Sequence, residues 1–384
     1  MAKKPKKYTL RNLINDIHLW LGIGSGIILF LVCLSGTILT FEEEIKNLFA
    51  QDFKVAHSNE NRLSLEQLSE SLSKEGTVTS VTLPIETEEP LQFTVKTSPK
   101  ERRGTTYFVD PYSGEYQQKQ KSHLDGFFLS MFKMHRWLLM DISIGRPIVG
   151  IATIIFLFLS ISGIVLWFPK KMRWKNFKPG FKIKFSANWK RINHDLHNTL
   201  GFYACIFLVI MSLTGLFWSF EWYRDAGSEV LGTKVFGNRS GGPKFTSALS
   251  PNVAAKSFEE ILEISANELD YKGEVSLSIP STDKDVFTIT KNKADSWSPV
   301  IKDKLVLDRD GTLLQKDLFS NKPLNVQIAS LIKPLHTGTI FGTFSKLIYF
   351  FACLIATTLP ITGTLIWINK LKAKKKKKKK VAFA

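Results

Sequence analysis

The sequence predicts an α-helical membrane protein with four transmembrane helices and two α+β modules outside the bilayer. Four apolar runs are each close to the ~20 residues that cross the hydrocarbon core. The first and second runs, and the third and fourth, are separated by polar stretches long enough for a small folded module. The order of span, module and span occurs twice, which indicates an internal tandem repeat.

The hydropathy pattern sets the boundaries of these segments. In order they are 1–16 (a basic N-terminus), 17–41 (first span), 42–125 (first module), 126–145 (an amphipathic interfacial segment), 146–168 (second span), 169–193 (a basic loop), 194–220 (third span), 221–322 (second module), 323–343 (a second interfacial segment), 344–368 (fourth span) and 369–384 (a polylysine tail). The first apolar run is too long for a cleaved signal peptide, so we expect a retained anchor.

Charge predicts the orientation of the chain. Segments 1–15, 169–193 and 370–384 hold five, nine and nine of the 52 lysines and arginines and contain no acid. The positive-inside rule therefore places both termini and the central loop in the cytoplasm and both modules in the periplasm of a bacterial inner membrane. Because the basic residues flank spans, they predict contact with anionic lipid of the inner leaflet and not with nucleic acid.

The two outer stretches carry the same series of elements. In the first, Ser64 can cap a helix, and alternating runs at 78–83, 91–96 and 107–109 lead into a turn at 110–115. In the second, a helix is predicted over 251–269, and runs at 274–279, 286–290 and 305–307 precede a turn at 308–312. Each stretch therefore predicts one α+β module with a terminal hairpin.

Two histidines open the first and third spans in the same sequence context. His18 lies eighteen residues before Gly36, and His197 lies eighteen residues before Gly215. Eighteen residues make five whole helical turns, so each histidine and its glycine share one helix face. A ring nitrogen beside bare backbone suits a flat ligand such as haem.

Four histidines occupy equivalent places in the two halves: His18 with His197, and His135 with His336. The predicted topology puts the first pair at the inner ends of spans and the second near the outer ends. Two haem b groups, each with two axial imidazoles, would need this arrangement. The alternative is that each histidine merely tolerates the membrane interface, although an ionisable residue there is a functional candidate by default.

Neighbouring residues extend this hypothesis. Gly22 and Gly201 each follow a histidine by four residues and would let a porphyrin approach the helix. The small residues Gly36, Gly163, Gly215 and Gly363 would let the helices pack closely. His194 lies one turn before His197 and has no counterpart in the first half. It can replace His197 as a ligand, shuttle a proton or bind a lipid headgroup, and we favour the last two roles.

Two aspartates stand two residues before these histidines, Asp16 in the first half and Asp195 in the second. On one helix this spacing points each carboxylate away from its own histidine, and a helix N-cap is the simpler interpretation. The functional interpretation is that each carboxylate accepts a hydrogen bond from the ligand imidazole of the other half and so orients that ring.

Other chemistries lack sequence support. The chain has no GxSxG or HExxH motif, no phosphate-binding loop and no glycine fingerprint for a nicotinamide or flavin cofactor. The three cysteines are too scattered for a redox or metal motif. If the protein carries electrons, their donor is a quinol or a cytoplasmic reductase.

The chain resembles the PepSY-associated transmembrane family of bacterial inner-membrane proteins, which includes iron-regulated ferric-siderophore reductases. The resemblance covers most of the chain and rests on four short motifs in order. These motifs are Asp16-Ile17-His18 with Gly22 and Ser35-Gly36, His135-Arg136-Trp137 with Ser162-Gly163 and Trp167-Phe168-Pro169, Asp195-Leu196-His197 with Gly201 and Thr214-Gly215, and Leu335-His336-Thr337-Gly338 with Thr362-Gly363.

The resemblance implies four spans and two periplasmic PepSY-like modules. In reductase members it also implies haem b, which membrane histidines hold and which reduces a periplasmic ferric siderophore. We therefore predict an electron-transfer protein of the iron-reductase kind, an oxidoreductase whose chelate binds between the two modules. The main alternative is a haem-free, membrane-anchored protein whose PepSY modules bind a peptide or a protease. A substrate transporter is a third interpretation.

Overall fold

A computed structural model describes residues 8–50, 53–55, 61–98, 100–101, 103–237, 245–250 and 253–382. The predictions for residues 1–7, 251–252 and 383–384 lie outside these ranges. The chain forms two compact units. One contains the chain up to Ile45, Leu124–Val235 and the chain from Ile332 onward, and the other contains Lys46–His123 and Phe236–Leu331.

Four helical segments within the described ranges are long and apolar enough to cross a membrane, which confirms the prediction of a multi-pass protein. They are α1 (Leu10–Leu39), α5 (Ile142–Trp167), α7 and α8 (Trp189–Asp195 and Gly201–Ser219, joined by a π-helical turn at Leu196–Leu200) and α12 (Gly342–Ala382). The first three begin earlier than the apolar runs, since Thr9, Asp141 and Asn188 cap them. Hydropathy marks contact with lipid and does not mark helix ends.

The membrane helices form a closed ring of contacts. Helix α1 packs against α12 and α5, and α8 packs against α5 and α12. The centre of this bundle contains small or slender side chains, among them Cys33, Ala204 and Ala356. Small residues let helix backbones approach closely where no hydrophobic effect drives association. The cysteines act here as small apolar residues.

Apart from two helices of the second unit, five shorter helices lie within the described residues. They are α2 (Glu42–Leu48), α4 (Asp125–Trp137), α6 (Trp174–Phe177), α9 (Glu221–Leu231) and α11 (Leu324–Thr337). Helices α4 and α11 occupy the two predicted interfacial segments, and they carry His135 and His336 respectively.

The second unit contains one antiparallel sheet of eight strands in the order β4-β3-β2-β1-β5-β6-β7-β8. The strands are β1 (Thr77–Leu83), β2 (Leu91–Lys96), β3 (Thr105–Val109), β4 (Tyr116–Gln118), β5 (Gly273–Ser278), β6 (Phe287–Lys293), β7 (Asp303–Leu307) and β8 (Leu313–Asp317). Each predicted alternating run overlaps one of these strands.

The two predicted modules share this sheet, because β1 pairs with β5 in register from Ser80 opposite Ser278 to Leu83 opposite Val275. Strand edges expose unpaired N–H and C=O groups, and pairing the two edges satisfies both. A β ladder therefore joins the two predicted modules into one sheet. The place where a chelate binds stays a prediction.

Two short helices belong to the core of the sheet unit, α3 (Leu65–Ser71) and α10 (Phe258–Glu268). Both begin with a capping box, formed by Ser64 with Gln67 and by Ser257 with Glu260. The Ser257 cap explains why α10 begins later than the predicted start at 251.

Each of these helices also caps the other. Glu66 of α3 accepts a hydrogen bond from the Phe258 N–H of α10, and Glu259 of α10 accepts one from the Leu65 N–H of α3 at 2.6 Å. Burial and a hydrogen bond to Glu259 raise the pKa of Glu66. Burial raises the pKa of Glu259, but the hydrogen bonds from Glu66 and from the Leu65 N–H together lower it by more, so that the net shift is downward. The junction therefore favours one shared proton on the two carboxyl groups.

Candidate functional site

The structure brings the four candidate histidines together in two pairs, both in the unit that contains the membrane helices. The ring centroids of His18 and His197 lie 6.5 Å apart, with an angle of 88° between the ring planes. Those of His135 and His336 lie 6.2 Å apart, with an angle of 55°. These are the pairings that the sequence suggested, and each pair joins the two halves of the chain.

In the pair of His18 and His197, each Nδ1 atom contacts a hydroxyl of a neighbouring span. His18 Nδ1 lies 2.8 Å from Ser162 Oγ, and His197 Nδ1 lies 2.9 Å from Thr362 Oγ1. Both hydroxyls donate their own hydrogen to a backbone carbonyl of their helix, Ser162 to Leu159 and Thr362 to Thr358. The hydroxyls therefore accept from the rings, so Nδ1 carries the proton and Nε2 keeps its lone pair.

The second pair reaches the same protonation pattern through backbone carbonyls. His135 Nδ1 lies 2.9 Å from the Val32 carbonyl oxygen, and His336 Nδ1 lies 3.0 Å from that of Met211. His336 Nδ1 also lies 3.1 Å from Thr214 Oγ1. A carbonyl oxygen only accepts, so Nδ1 is the donor in both rings. All four imidazoles thus carry their proton on Nδ1 and keep the lone pair of Nε2.

A glycine on a neighbouring helix backs each ring. A Cβ atom added at Gly163 would lie 3.6 Å from His18 Cε1, and one at Gly363 would lie 3.2 Å from His197 Cε1. The corresponding distance is 3.0 Å from Gly36 to His135 and 3.0 Å from Gly215 to His336. Sequence reasoning assigned these glycines to helix packing or to the face of their own histidine, and it missed this contact. The signal was available, because each glycine directly follows a serine or threonine.

A cavity adjoins the pair of His18 and His197. Its volume is about 230 Å³. Gly22 and Gly201 line it, and a Cβ at either would come no closer than 3.6 Å to the nearest side chain. The two glycines therefore leave space in the cavity that a larger side chain would fill, and a flat ligand could use this space.

The two pairs lie at opposite ends of the membrane helices. Along α1, eighteen residues separate His18 from Gly36, which contacts His135. At 1.5 Å per residue this is about 27 Å, nearly the thickness of the hydrocarbon core. The chain therefore holds two similar sites at two membrane depths.

The three other candidate residues make different contacts. Asp16 accepts hydrogen bonds from Tyr8 at 2.6 Å and from Asn15 at 3.2 Å. Asp195 is buried, pairs with Arg191 at 2.7 Å and accepts from the Lys184 N–H. The Nδ1 atoms of His18 and His197 thus lie against Ser162 and Thr362, and the contacts of Asp16 and Asp195 described here are with other residues.

His194 lies outside the ring pair but lines the same cavity. Its side chain is 56% exposed, and its Nδ1 lies 3.5 Å from Asp195. The centroid distance of 6.5 Å between His18 and His197 favours His197 over His194 as the partner of His18.

Local backbone irregularities position the histidines. His197 lies within the π-helical turn of the third span, a feature that often marks functional sites. One turn earlier, Asn193 donates to the Thr362 carbonyl at 3.0 Å, so both residues hold Thr362.

A tight turn fixes the helix of His135. Leu138 and Leu139 adopt φ of 57° and 60°, a left-handed conformation that costs a non-glycine residue about 1–2 kcal/mol. Gly145 makes the turn possible, because a Cβ there would clash with the Trp137 carbonyl. No pattern in the sequence indicates two consecutive left-handed leucines.

Within the described residues, no group of three or more His, Cys, Asp or Glu side chains could hold a metal ion. Two imidazoles supply two ligands at about 2 Å each, and this bond length matches ring centroids roughly 6 Å apart. The remaining ligands of a metal at either pair would have to come from a bound group. The residues present therefore fit a planar metal complex better than a bare ion.

A family model described as the PepSY-associated TM region matches residues 16–370, nearly the whole chain. No curated protein matches the chain.

Proposed function

We propose, since the chain belongs to the PepSY-associated TM family, that it is a two-haem electron-transfer protein of the bacterial inner membrane. His18 and His197 would hold one haem b, and His135 and His336 the other. Electrons from a quinol or a cytoplasmic reductase would cross the bilayer and reduce a ferric siderophore or a similar ferric chelate in the periplasm.

One observation carries this proposal: two histidine pairs with ring centroids 6.5 and 6.2 Å apart and every Nδ1 occupied by a hydrogen bond. A fixed Nδ1–H orients the ring and makes Nε2 the more basic ligand atom. The flanking glycines leave the ring edges uncrowded. These features prepare each pair to receive a metal without rearrangement of the backbone.

The orientation is part of the proposal. The pair of His18 and His197 lies at the ends of the spans next to the basic segments, and these ends face the cytoplasm by the positive-inside rule. Both termini and the loop at 169–193 would be cytoplasmic, and the sheet unit would be periplasmic. The pair of His135 and His336 would then be the outer site, next to the substrate.

Haem iron with two imidazole ligands exchanges one electron between its ferric and ferrous states when bound. The chain supplies the depth of each site, the apolar surroundings and the orientation of the imidazoles. One electron delivered to a ferric chelate yields the ferrous complex, which hard oxygen ligands hold more weakly, so the iron is freed.

We also propose that the two halves are copies of one unit. The matched capping boxes of α3 and α10 and the equivalent contacts of Ser162 and Thr362 support this. A repeat of the same orientation would relate the halves by a pseudo-two-fold axis along the membrane normal.

The test is an absorption spectrum of detergent-purified protein, oxidised and then reduced with dithionite, with haem quantified per chain. We expect a sharp reduced α-band and about two haems, as two bis-imidazole sites require. Anaerobic addition of a ferric trihydroxamate to the reduced protein should restore the oxidised spectrum. Absence of haem after expression with haem supplied would overturn the proposal and favour a haem-free protein that binds a peptide or protease.

A further inference from the structure

The cavity beside His18 and His197 is apolar at one end and polar at the other. Leu29, Cys205 and Leu208 line its closed end and are each less than 5% exposed. The side chains of His194 and Lys370 line the open end and are exposed. A ligand that fills this cavity would therefore meet hydrocarbon at one end and polar groups at the other.

Three of the polar residues that line the cavity lie on the same side of the histidine pair. Asn15 and His194 each precede a paired histidine by three residues, about 4.5 Å along the helix. Lys370 follows Gly363, which backs His197, by seven residues or about 10 Å on the opposing helix. Asn198 completes this group of four, which we call the polar rim.

The polar rim is suited to an anion. Among the described residues that line the cavity, Lys370 is the only lysine or arginine, and none is an acid. The two nearby carboxylates do not line the cavity but touch two members of the rim: Asp195 pairs with Arg191 and lies 3.5 Å from His194, and Asp16 accepts from Tyr8 and Asn15. A lysine beside amide and imidazole donors, without a competing acid in the lining, matches the donors that bind carboxylates.

We propose that the polar rim binds the two carboxylate side chains of a porphyrin, with Lys370 as the principal cation. This inference rests on the proposed function and adds the direction in which the inner haem is held. The apolar edge of the porphyrin enters between the spans, and its propionates stay at the open end. Water at that end spares the carboxylates the cost of burial.

The test compares two porphyrins that differ only in this group. Protohaem and its dimethyl ester, which lacks both negative charges, are titrated into haem-depleted full-length protein, and binding is followed by absorbance. We expect the ester to bind about threefold to tenfold more weakly at the inner site, as a partly exposed charge-assisted contact implies. In Lys370→Gln this preference should shrink, whereas Lys372→Gln, which removes the same charge outside the lining, should keep it.

The outer site is the same in all three proteins, so differences between them report on the inner cavity. Equal affinity of the unaltered protein for both porphyrins would overturn the inference and leave Lys370 to an anionic lipid. An undiminished preference in Lys370→Gln would also overturn it. If neither porphyrin binds any variant, the proposed function itself fails. Should Lys370→Gln not accumulate, the comparison of the two porphyrins on the unaltered protein still decides.

Discussion

The imidazole rings of His18 and His197 lie next to each other in the bundle. Their centroids are 6.5 Å apart, and their planes are almost perpendicular at 88°. They come from the first and third spans, which lie in different halves of the chain. Their Nδ1 atoms are held by the second and fourth spans, through Ser162 and Thr362. All four membrane helices therefore contribute to this one site.

Removing either ring should remove one haem. We expect His197→Leu and His18→Leu to contain about one haem per chain where the unaltered protein contains about two, because each ring supplies one of two axial ligands. His194→Leu should keep both haems, because His194 belongs to the polar rim and not to the ring pair, so that its loss weakens binding without removing an iron ligand. Pyridine haemochrome quantification against protein concentration measures the ratio. Loss of a haem in His194→Leu alone would exchange the roles of the two residues.

The angle between the rings should be visible by electron paramagnetic resonance. Perpendicular imidazole planes bring two iron d orbitals close in energy, which gives a single strongly shifted low-field feature in the oxidised state. We expect this signal from the inner site, at 88°, and a less extreme signal from the outer site, at 55°. His336→Leu should leave only the first. A spectrum with parallel-ring signals alone would contradict the inner geometry.

Much of the architecture was predictable from the sequence. Hydropathy predicted the four spans, because a membrane helix needs a long apolar run and little else interferes with that signal. Period-two alternation predicted the strands, since one sheet face is buried. The structure also places the four histidines in the suggested pairs, while their role as haem ligands stays a prediction.

Other features had no sequence signature. The pairing of β1 with β5 joins residues such as Val81 and Leu277 through main-chain hydrogen bonds. Main-chain bonds do not depend on side-chain identity, so the single eight-stranded sheet could not be predicted. The Ser/Thr-Gly dipeptides were noticed but assigned to helix packing, since only the structure shows that Gly363 backs His197 and that Thr362 binds it.

The Thr362 hydroxyl should tune the inner site. Thr362→Val removes the acceptor of His197 Nδ1 and keeps the shape of the side chain, so we expect haem affinity at the inner site to fall about 10- to 100-fold. Thr362→Ser should restore it. Thr358→Val is the control, because that hydroxyl bonds only within its own helix, to the Ile355 carbonyl. Absorbance titration of the four proteins measures the effect, and equal affinities would exclude the contact as a determinant.

A side chain at either glycine that contacts an outer histidine ring should destabilise the protein. In Gly36→Ala and Gly215→Ala the new Cβ would lie 3.0 Å from a histidine ring, so the ring has to shift. We expect a destabilisation of about 1–3 kcal/mol, typical of overpacking, and a reduced occupancy of the outer site only. Gly24→Ala is the control, since no atom lies within 4 Å of a Cβ there.

Thermal unfolding of the haem-loaded protein and its haem content test the glycine variants. If Gly24→Ala destabilises the protein as much as Gly36→Ala does, crowding against the histidine ring is not the cause of the lost stability. A full haem content in both outer-site variants would show that the rings can move freely.

The carboxyl pair at the junction of α3 and α10 should make that junction sensitive to pH. The pKa of Glu66 is raised, so its proton stabilises the fold below the usual value of about 4.5 and this contribution is lost as pH rises through the raised pKa. The pKa of Glu259 is lowered, so its charge stabilises the fold above about 4.5 and is lost as pH falls through the lowered pKa. The junction is therefore most stable in the mildly acidic window between these two pKa values.

Hydrogen exchange at the Leu65 and Phe258 amides, corrected for intrinsic rates, measures this junction locally. We expect about twofold to fivefold more protection at pH 5 than at pH 8, since a partly exposed pair contributes less than about 1 kcal/mol. Glu66→Gln should remove the difference, because its amide keeps the acceptor for Phe258 N–H and donates permanently to Glu259. Glu263→Gln on α10 is the control and should behave like the unaltered protein. An unchanged pH dependence in Glu66→Gln would assign the effect to other groups.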